Sequence, residues 1–477
     1  MLLGEDGIIR TAQKAKNIWE GAVANEQQEI QNLLNELNTI MNEQGETGQN
    51  PGTDPEEPEE PDPIPTDESF SEEKGVNTPD LAGGELTPVK WIDNGNGSYT
   101  MQTTTADDPE WYSYGTTADT RKWANAQTKD GSLWVWIPRY AYQISSNYHT
   151  NSTTGGTINI EFLKGTTNEG ATGKTIVEYN ATTTNNFTKF PDGYVVHPGF
   201  EYSSTAPGLW VAKFEASQSD AGANVDSYQN YTGGTSGVIK IQPGVNSWRN
   251  ITISDMYAKC LNYDRDTLEN ESLNSHLMKN SEWGAVAYLA QSSYGKNAEV
   301  WINPNSNHIT GQAGTGASVS ETTSTSPYNS GNGPQASTTG NVYGVYDMSG
   351  GAYEYVAAYV ANNNGSLTSN GASLVNGYSY TKDVYTKGST DDRSTNYAMA
   401  ANKYGNAVYE TSLSSNGTPS WFASWYSDFS YFVYLYEPFL LRGGTCSHKS
   451  YAGLFSFYSY NGNYTSGYGF RPVLATL

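Results

Sequence analysis

The spacing of apolar positions changes character twice along this 477-residue chain. In the first stretch, Ile30, Leu33, Leu34, Leu37, Ile40 and Met41 recur every three or four residues, and Ala12, Ala15, Ile18, Trp19 and Val23 extend the stripe upstream. That period predicts a helix over 5–44 with Gly45 as its stop. A lone stripe of this kind is a packing or oligomerisation face rather than a chemical site. Over 45–80 apolar positions almost vanish and Pro and Glu dominate. Such a stretch buries too little apolar area to offset the entropy of ordering, so a disordered acidic linker is expected. From 81 to 477 short apolar or alternating runs lie between clusters of Gly, Asn, Ser and Thr. The runs at 132–142 (SLWVWIPRYAY), 157–163, 193–197 and 209–214 predict strands, and 312–340 predicts a long surface loop. Two segments read as helices: 280–291 (NSEWGAVAYLAQ), with Ser281 as N-cap, and 250–262. Many strands with few short helices make this one large, irregular α+β domain without a clean repeat.

Composition narrows the function classes. Aromatic residues make up 13% of the chain, 36 of them Tyr, and charged residues only 16%, against about 25% in ordinary globular domains. A weakly charged surface rich in Thr, Ser, Asn and Gly is the texture of β-rich extracellular and virion proteins. The net charge of −24 argues against nucleic acid, which needs clustered Lys and Arg. Two cysteines (Cys260, Cys446) and five histidines without a CxxC argue against structural zinc. Unpaired thiols are expected, with one disulfide as the alternative. No run reaches the roughly 18 apolar residues of a membrane span, and no signal peptide opens the chain.

The C-terminal tail from 424 to 477 interleaves two textures. Arg442-Gly443-Gly444, Ala452-Gly453 and Gly469-Phe470-Arg471-Pro472-Val473 look like fixed anchors. Between them lie Tyr, Ser, Asn, Thr, His and Lys. Tyr offers large contact area at low entropy cost, and small polar residues offer adaptable hydrogen bonds, as in antibody loops. The mixture suggests a binding surface rather than a catalytic pocket.

Five motifs in order carry a resemblance: 209–217 (LWVAKFEAS), 279–288 (KNSEWGAVAY), 340–356 (GNVYGVYDMSGGAYEYV), 441–444 (LRGG) and 469–473 (GFRPV). They resemble the formylglycine-generating enzyme/sulfatase-modifying family, a variant of the C-type lectin fold, across about 85–477. The resemblance implies an α+β, C-type lectin-like domain with little regular secondary structure, following the N-terminal helix and the linker. Glu282, Asp347 and Glu354 fall among its structural motifs, so hydrogen-bonding roles are expected for them. The family's enzymes carry two cysteines in a GGSYMCHRSYC-like stretch. Aligned on the glycine pair, this chain has His448 and Gly453 there; aligned on His448-Lys449-Ser450-Tyr451, it has Ser447 and Ala452. Neither register keeps the pair, so no enzymatic activity is expected. A Cys446–His448 thiolate site is the alternative.

The same fold serves the variable proteins of diversity-generating retroelements, in which adenine-directed mutagenesis alters displayed residues near the C-terminus. On that resemblance the displayed, ligand-binding set is Tyr434, Tyr436, Thr445, Ser447, His448, Lys449, Tyr460, Asn461, Asn463, Tyr464, Ser466 and Tyr468. The N-terminus (MLLGEDGIIRTAQKAKNIWEGAVANEQQEIQNLL) resembles the stretch after the membrane helix of type IV pilin-like proteins. No apolar segment precedes Met1 here, so either the chain is truncated or it starts at this point.

Together these readings imply a non-enzymatic adhesin, extracellular or at the cell surface, that binds a protein or glycan on another cell or host surface. A phage virion receptor-binding protein, a formylglycine-type oxidase and a minor pilin are the alternatives. The helix would serve pilus or virion assembly. No cofactor is required; calcium is left open, because lectin-like folds often bind it although no EF-hand-like spacing appears. Asp264-Arg265-Asp266 is expected to be a solvated turn.

Overall fold

The computed structural model describes residues 69–180, 193–222, 237–268, 273–418 and 420–476. The expected helix over 5–44 and most of the expected linker lie outside the described residues. The last part of that linker segment, however, is folded. Phe70–Ser71 pairs with Val76–Asn77, and Val76 and Asn77 are buried. Asn77 accounts for this, because its amide donates to the carbonyls of Gly165 and Pro207 at 3.1 and 2.7 Å.

The first half of the described chain supplies β1 (Leu86–Asp93), β2 (Tyr99–Thr103), β3 (Asn125–Thr128), β4 (Leu133–Pro138), β5 (Gly208–Ala212) and β6 (Leu273–Leu277). The second half supplies β7 (Tyr353–Ala361), β8 (Asp383–Thr386), β9 (Phe439–Gly443), β10 (Gly453–Tyr460), β11 (Tyr468–Phe470) and β12 (Pro472–Thr476). An antiparallel seven-stranded sheet runs β6-β12-β5-β4-β3-β1-β2. Its central strands are apolar throughout (LWVWIP in β4, GLWVA in β5) because both faces are covered; every residue of each is buried. At the edge the burial of β1 alternates and β2 is mostly exposed. A smaller sheet joins Tyr140–Ile144, Ile158–Phe162, Tyr194–Val196 and Ile176–Val177. The 132–142 run is therefore two strands divided at Arg139. The third sheet runs β8-β7-β9-β10, with β11 parallel to the start of β7.

Helix α1 (Ile253–Leu261) and helix α2 (Asn280–Gln291) form where the spacing predicts them. The N-cap of α2 is Lys279, not Ser281: the Glu282 carboxylate reaches back to accept the Lys279 N–H at 2.7 Å, so the capping interaction selects the earlier residue. All twelve residues of α2 are buried. Gly284 allows this, since a Cβ there would lie 1.9 Å from the Gly405 carbonyl oxygen. The 312–340 segment also departs from expectation. Gln312–Ala313 pairs with Ser326–Pro327, and Ala336 through Thr339 are buried. Ser337 and Thr338 find partners there in Asn341 O and Val345 N, which leaves only part of the segment as surface loop. Asp264 is buried as well, unlike its exposed neighbours Arg265 and Asp266; it accepts from the Arg265 N–H at 2.7 Å.

The motif carboxylates hold the core together. Arg471 grips Glu354 through two bonds of 3.0 and 2.7 Å and also donates to the carbonyls of Ala212 and Tyr346. Asp347 accepts from Asn303 and from the Gly311 N–H, and Glu215 accepts from the Ala352 N–H. Burial and their mutual charge push the Glu215 carboxyl well up; burial raises Asp347 and Glu354 against the pull of Arg471. Glu282 moves the other way. Burial alone would raise it, but His276 and Lys279 beside it and bonds from His276 and Tyr202 bring it down to about 2.

Candidate binding surface

Strand register divides the third sheet into two chemically different faces. Glu354 pairs with Arg442 and Arg442 with Phe457. Alternation puts these three on one side, and all are buried, with the Arg442 guanidinium 5.5 Å from the Trp283 ring of α2. One position along, Tyr355 pairs with Leu441, Leu441 with Tyr458, Phe439 with Tyr460 and Tyr353 with Tyr468. On this outer face Tyr353, Tyr355, Phe439 and Leu441 are buried, while Tyr458, Tyr460 and Tyr468 are half-buried. The outer rings therefore rest on an aromatic underlayer.

The rings form a continuous platform. Tyr458 stacks on Tyr353 at 5.3 Å and 18° and on Tyr431 at 5.2 Å and 24°. Tyr468 sits edge-on to Tyr353, Tyr355 and Tyr460. Phe429 touches Tyr431, Tyr458 and His448, and Phe422 joins Phe429 to Tyr451, stacking on the latter at 3.7 Å. Each such pair contributes about 0.5–1.5 kcal/mol beyond its burial, so the rings are held before any ligand arrives. Arg393 anchors the far end. It opens helix α3 (Arg393–Met399), which Asp392 caps by accepting the Thr395 N–H at 2.8 Å. Its guanidinium lies 3.4 Å from the Tyr431 ring centre and 3.5 Å from that of Tyr434, and it bonds Glu437 at 2.6 Å. The Ser459 hydroxyl donates to the same carboxylate oxygen at 2.9 Å. Tyr434 in turn meets Tyr436 edge-on.

Two loops border the sheet. Gly443 and Gly444 adopt φ of +86° and +79°, and a Cβ on Gly444 would lie 2.6 Å from Ala452. That close return makes 445–451 a tight excursion in which Ser447 and Lys449 are exposed and Thr445 and His448 half-buried. The Thr445 N–H donates to His448 Nδ1 at 3.3 Å. In the 461–467 loop the backbone is tied from outside: Asn370 and Tyr355 donate to the carbonyls of Asn461 and Asn463, and Arg249 to that of Ser466. Tyr464 is 58% exposed and Tyr436 65%.

The twelve sequence-predicted residues thus divide. Tyr436, Ser447, Lys449, Tyr464 and Ser466 are exposed; Tyr434, Thr445, His448, Tyr460, Asn461, Asn463 and Tyr468 are half-buried. Ring contacts bring His448, Tyr460 and Tyr468 together through Tyr353, and bring Tyr436 to Tyr434. Asn461 and Asn463 are partly spent on the loop itself, since their side-chain oxygens accept the N–H groups of Asn463 and Tyr464. Phe422, Phe429, Tyr431, Tyr451 and Tyr458 escaped the sequence reading, as did Arg393. The alternation in FSFYSY would have placed Tyr458 beside Tyr460. Nothing local to Arg393 marks it.

Cys446 is buried, with its N–H on Gly351 O at 2.9 Å. Burial, aided by the charges of Glu321 and Glu215, pushes its thiol up to about 11, opposite to what a thiolate nucleophile requires. Burial also lowers the His448 imidazole. Cys260 and Cys446 are both free thiols. Among the described residues no group of three or more His, Cys, Asp or Glu is placed to hold a metal ion, and no helix is long and apolar enough to cross a membrane.

No family model and no curated protein matches the chain. Among solved structures, PvdO from Pseudomonas aeruginosa is similar over 74% of this chain and 98% of its own, at 11% identity and a TM-score of 0.30. The I1 and P3c variants of Major Tropism Determinant are similar over 84% of this chain and 75% of theirs, at 14% and 15% identity and TM-scores of 0.26 and 0.25. These are the two kinds of protein that the motifs resemble, one formylglycine-generating-enzyme-like and one a retroelement variable protein. Overlap this loose assigns the chain no role.

Proposed function

We propose that this chain is a ligand-binding protein that displays a diversified Tyr/Ser/Asn-rich surface on a C-type lectin-like scaffold, as an adhesin at a cell surface. The carrying observation is the ordered aromatic platform on the outer face of β7, β9 and β10, flanked by the exposed rings of Tyr436 and Tyr464. A few such anchors supply most of the energy of a protein contact, and the ordered rings beneath them lower the entropy cost of binding. The partner is a protein or glycan on another cell or host surface. The segment over 5–44 would serve as the assembly end and the acidic stretch after it as the arm, so that repeated copies add avidity. A virion-borne receptor-binding protein is the second form of this reading, because the same surface would serve either carrier.

The test is capture of the labelled full chain on an array of cell-surface proteins and glycans. The Tyr436→Ala/Tyr464→Ala variant is expected to keep the melting temperature of the parent and lose capture. A folded double variant that binds as the parent does would overturn the proposal. Diversification has its own test in the neighbouring DNA: a near-identical repeat should differ from the tail's coding sequence at adenines.

A further inference from the structure

A cleft of about 270 Å³ lies away from the platform, lined by segments that all precede residue 407 and including Tyr380, Asp383, Asn402, Lys403, Tyr404 and Asn406. Two stacked tyrosine pairs flank it. Tyr380 stacks on Tyr378 at 5.3 Å and 13°, and Tyr404 on Tyr179 at 4.2 Å and 19°. Tyr378 is itself 58% exposed, so this aromatic wall stands open to solvent and is stiffened from behind.

Most of the charge at the cleft is already engaged by the fold. Lys382 donates to the carbonyls of Leu374, Val375 and Gly377 at 3.1, 2.6 and 2.7 Å. Lys279 donates to Glu201 O at 3.0 Å and lies 4.0 Å over the Tyr202 ring. Asp383 accepts the Ser281 N–H at 2.7 Å. Polar groups of the lining without a hydrogen bond among the described residues include the Asn402 amide, the Lys403 ammonium and the hydroxyls of Ser281, Ser379, Tyr380 and Tyr404. Aromatic walls with several hydroxyl and amide groups, and with Lys403 the one lysine of the lining that makes no hydrogen bond among the described residues, suit a ligand that offers a C–H face and a rim of hydroxyls. The volume falls just under the roughly 300–1,000 Å³ of sites for larger small molecules, which fits one ring.

We propose that this cleft binds a neutral monosaccharide unit, stacked on Tyr380 and hydrogen-bonded by Asn402 and Lys403. Because none of its lining belongs to the 424–477 tail, this contact stays constant while the platform varies. The chain then carries one fixed, weak sugar contact besides its diversified one.

The experiment is saturation-transfer NMR on the full chain with the methyl glycosides of glucose, galactose and N-acetylglucosamine, with acetate and inorganic phosphate as competitors. At least one glycoside is expected to receive saturation at its ring protons. Tyr380→Ala should weaken it about tenfold, near the scale of one lost stacking contact, and Asn402→Ala should weaken it at an unchanged melting temperature. Tyr436→Ala should leave it unaffected, which separates this site from the platform. No transfer to any of the three glycosides, displacement by acetate or phosphate, or full binding by folded Asn402→Ala would each overturn the proposal.

Discussion

The two faces of the sheet formed by β7, β9 and β10 are built from alternate residues of the same strands, yet they obey different rules. The inner face carries Glu354, Arg442 and Phe457, all buried, with Arg442 against Trp283 of α2. Specific bonds tie this face into the fold: Arg471 grips Glu354 twice, and Arg442 donates to the carbonyls of Ala407 and Leu454. The outer face carries Tyr353, Tyr355, Leu441, Tyr458 and Tyr460, which pack through ring contacts with fewer fixed hydrogen bonds. Ring packing tolerates replacement at its outermost members far better than a buried charge network does. Strand periodicity alone supplies this division.

The comparison breaks most severely at Arg471. Arg471→Ala leaves Glu354 without its partner among the buried carboxylates Glu215 and Asp347, and removing one partner of a buried pair costs about 3–5 kcal/mol. Loss of folded, soluble protein or a steep fall in the urea midpoint is expected; a near-normal midpoint would refute the inner-face account. Next comes Glu282 at the start of α2. Its pKa lies near 2 in the fold against 4.5 unperturbed, so its contribution is present above pH 4.5 and lost as pH falls through 2. Glu282→Gln should therefore destabilise by roughly 3 kcal/mol near neutrality, with the difference from the parent shrinking between pH 4.5 and 2. A difference independent of pH would sink this assignment.

Arg393 tests the far end of the outer face. Its guanidinium is sandwiched by Tyr431 and Tyr434 and bonded to Glu437, and Lys cannot reproduce a planar stacked contact. Arg393→Lys is expected to cost about 1 kcal/mol of stability while lowering ligand capture. Unchanged capture would mean that the two rings need no clamp.

What could be read from the sequence follows the same division. The central strands and α2 were legible because continuous apolar runs and helical spacing are local signals, and the carboxylates stood within recognisable motifs. The tail's character was legible from composition, and none of its twelve chosen residues is buried. The extent of the platform was not. Phe422, Phe429 and Tyr431 join it by packing on Tyr451 and Tyr458 from a separate segment, and Arg393 enters from a helix that precedes the tail. The folded hairpin at Phe70–Asn77 was hidden for a related reason, since its stability comes from Asn77 reaching residues 88 and 130 positions away. The N-cap of α2 was misplaced because Ser281 matched the usual preference, whereas Glu282 satisfied an earlier N–H.

The smallest effect on stability is expected at the outermost rings, and it sharpens the comparison most. Tyr436 and Tyr464 are exposed, whereas Tyr468 touches three tyrosines, two of them buried. Tyr436→Ala and Tyr464→Ala should shift stability by no more than about 0.5 kcal/mol, the range of surface changes. Tyr468→Ala removes ring contacts worth about 0.5–1.5 kcal/mol each, so it should fall measurably below both. Thermal melts of the three variants give the order directly. If Tyr468→Ala is as mild as the other two, the underlayer is not holding the platform, and preorganisation loses its structural basis. If Tyr436→Ala is as harmful as Tyr468→Ala, that ring belongs to the core and not to the displayed surface.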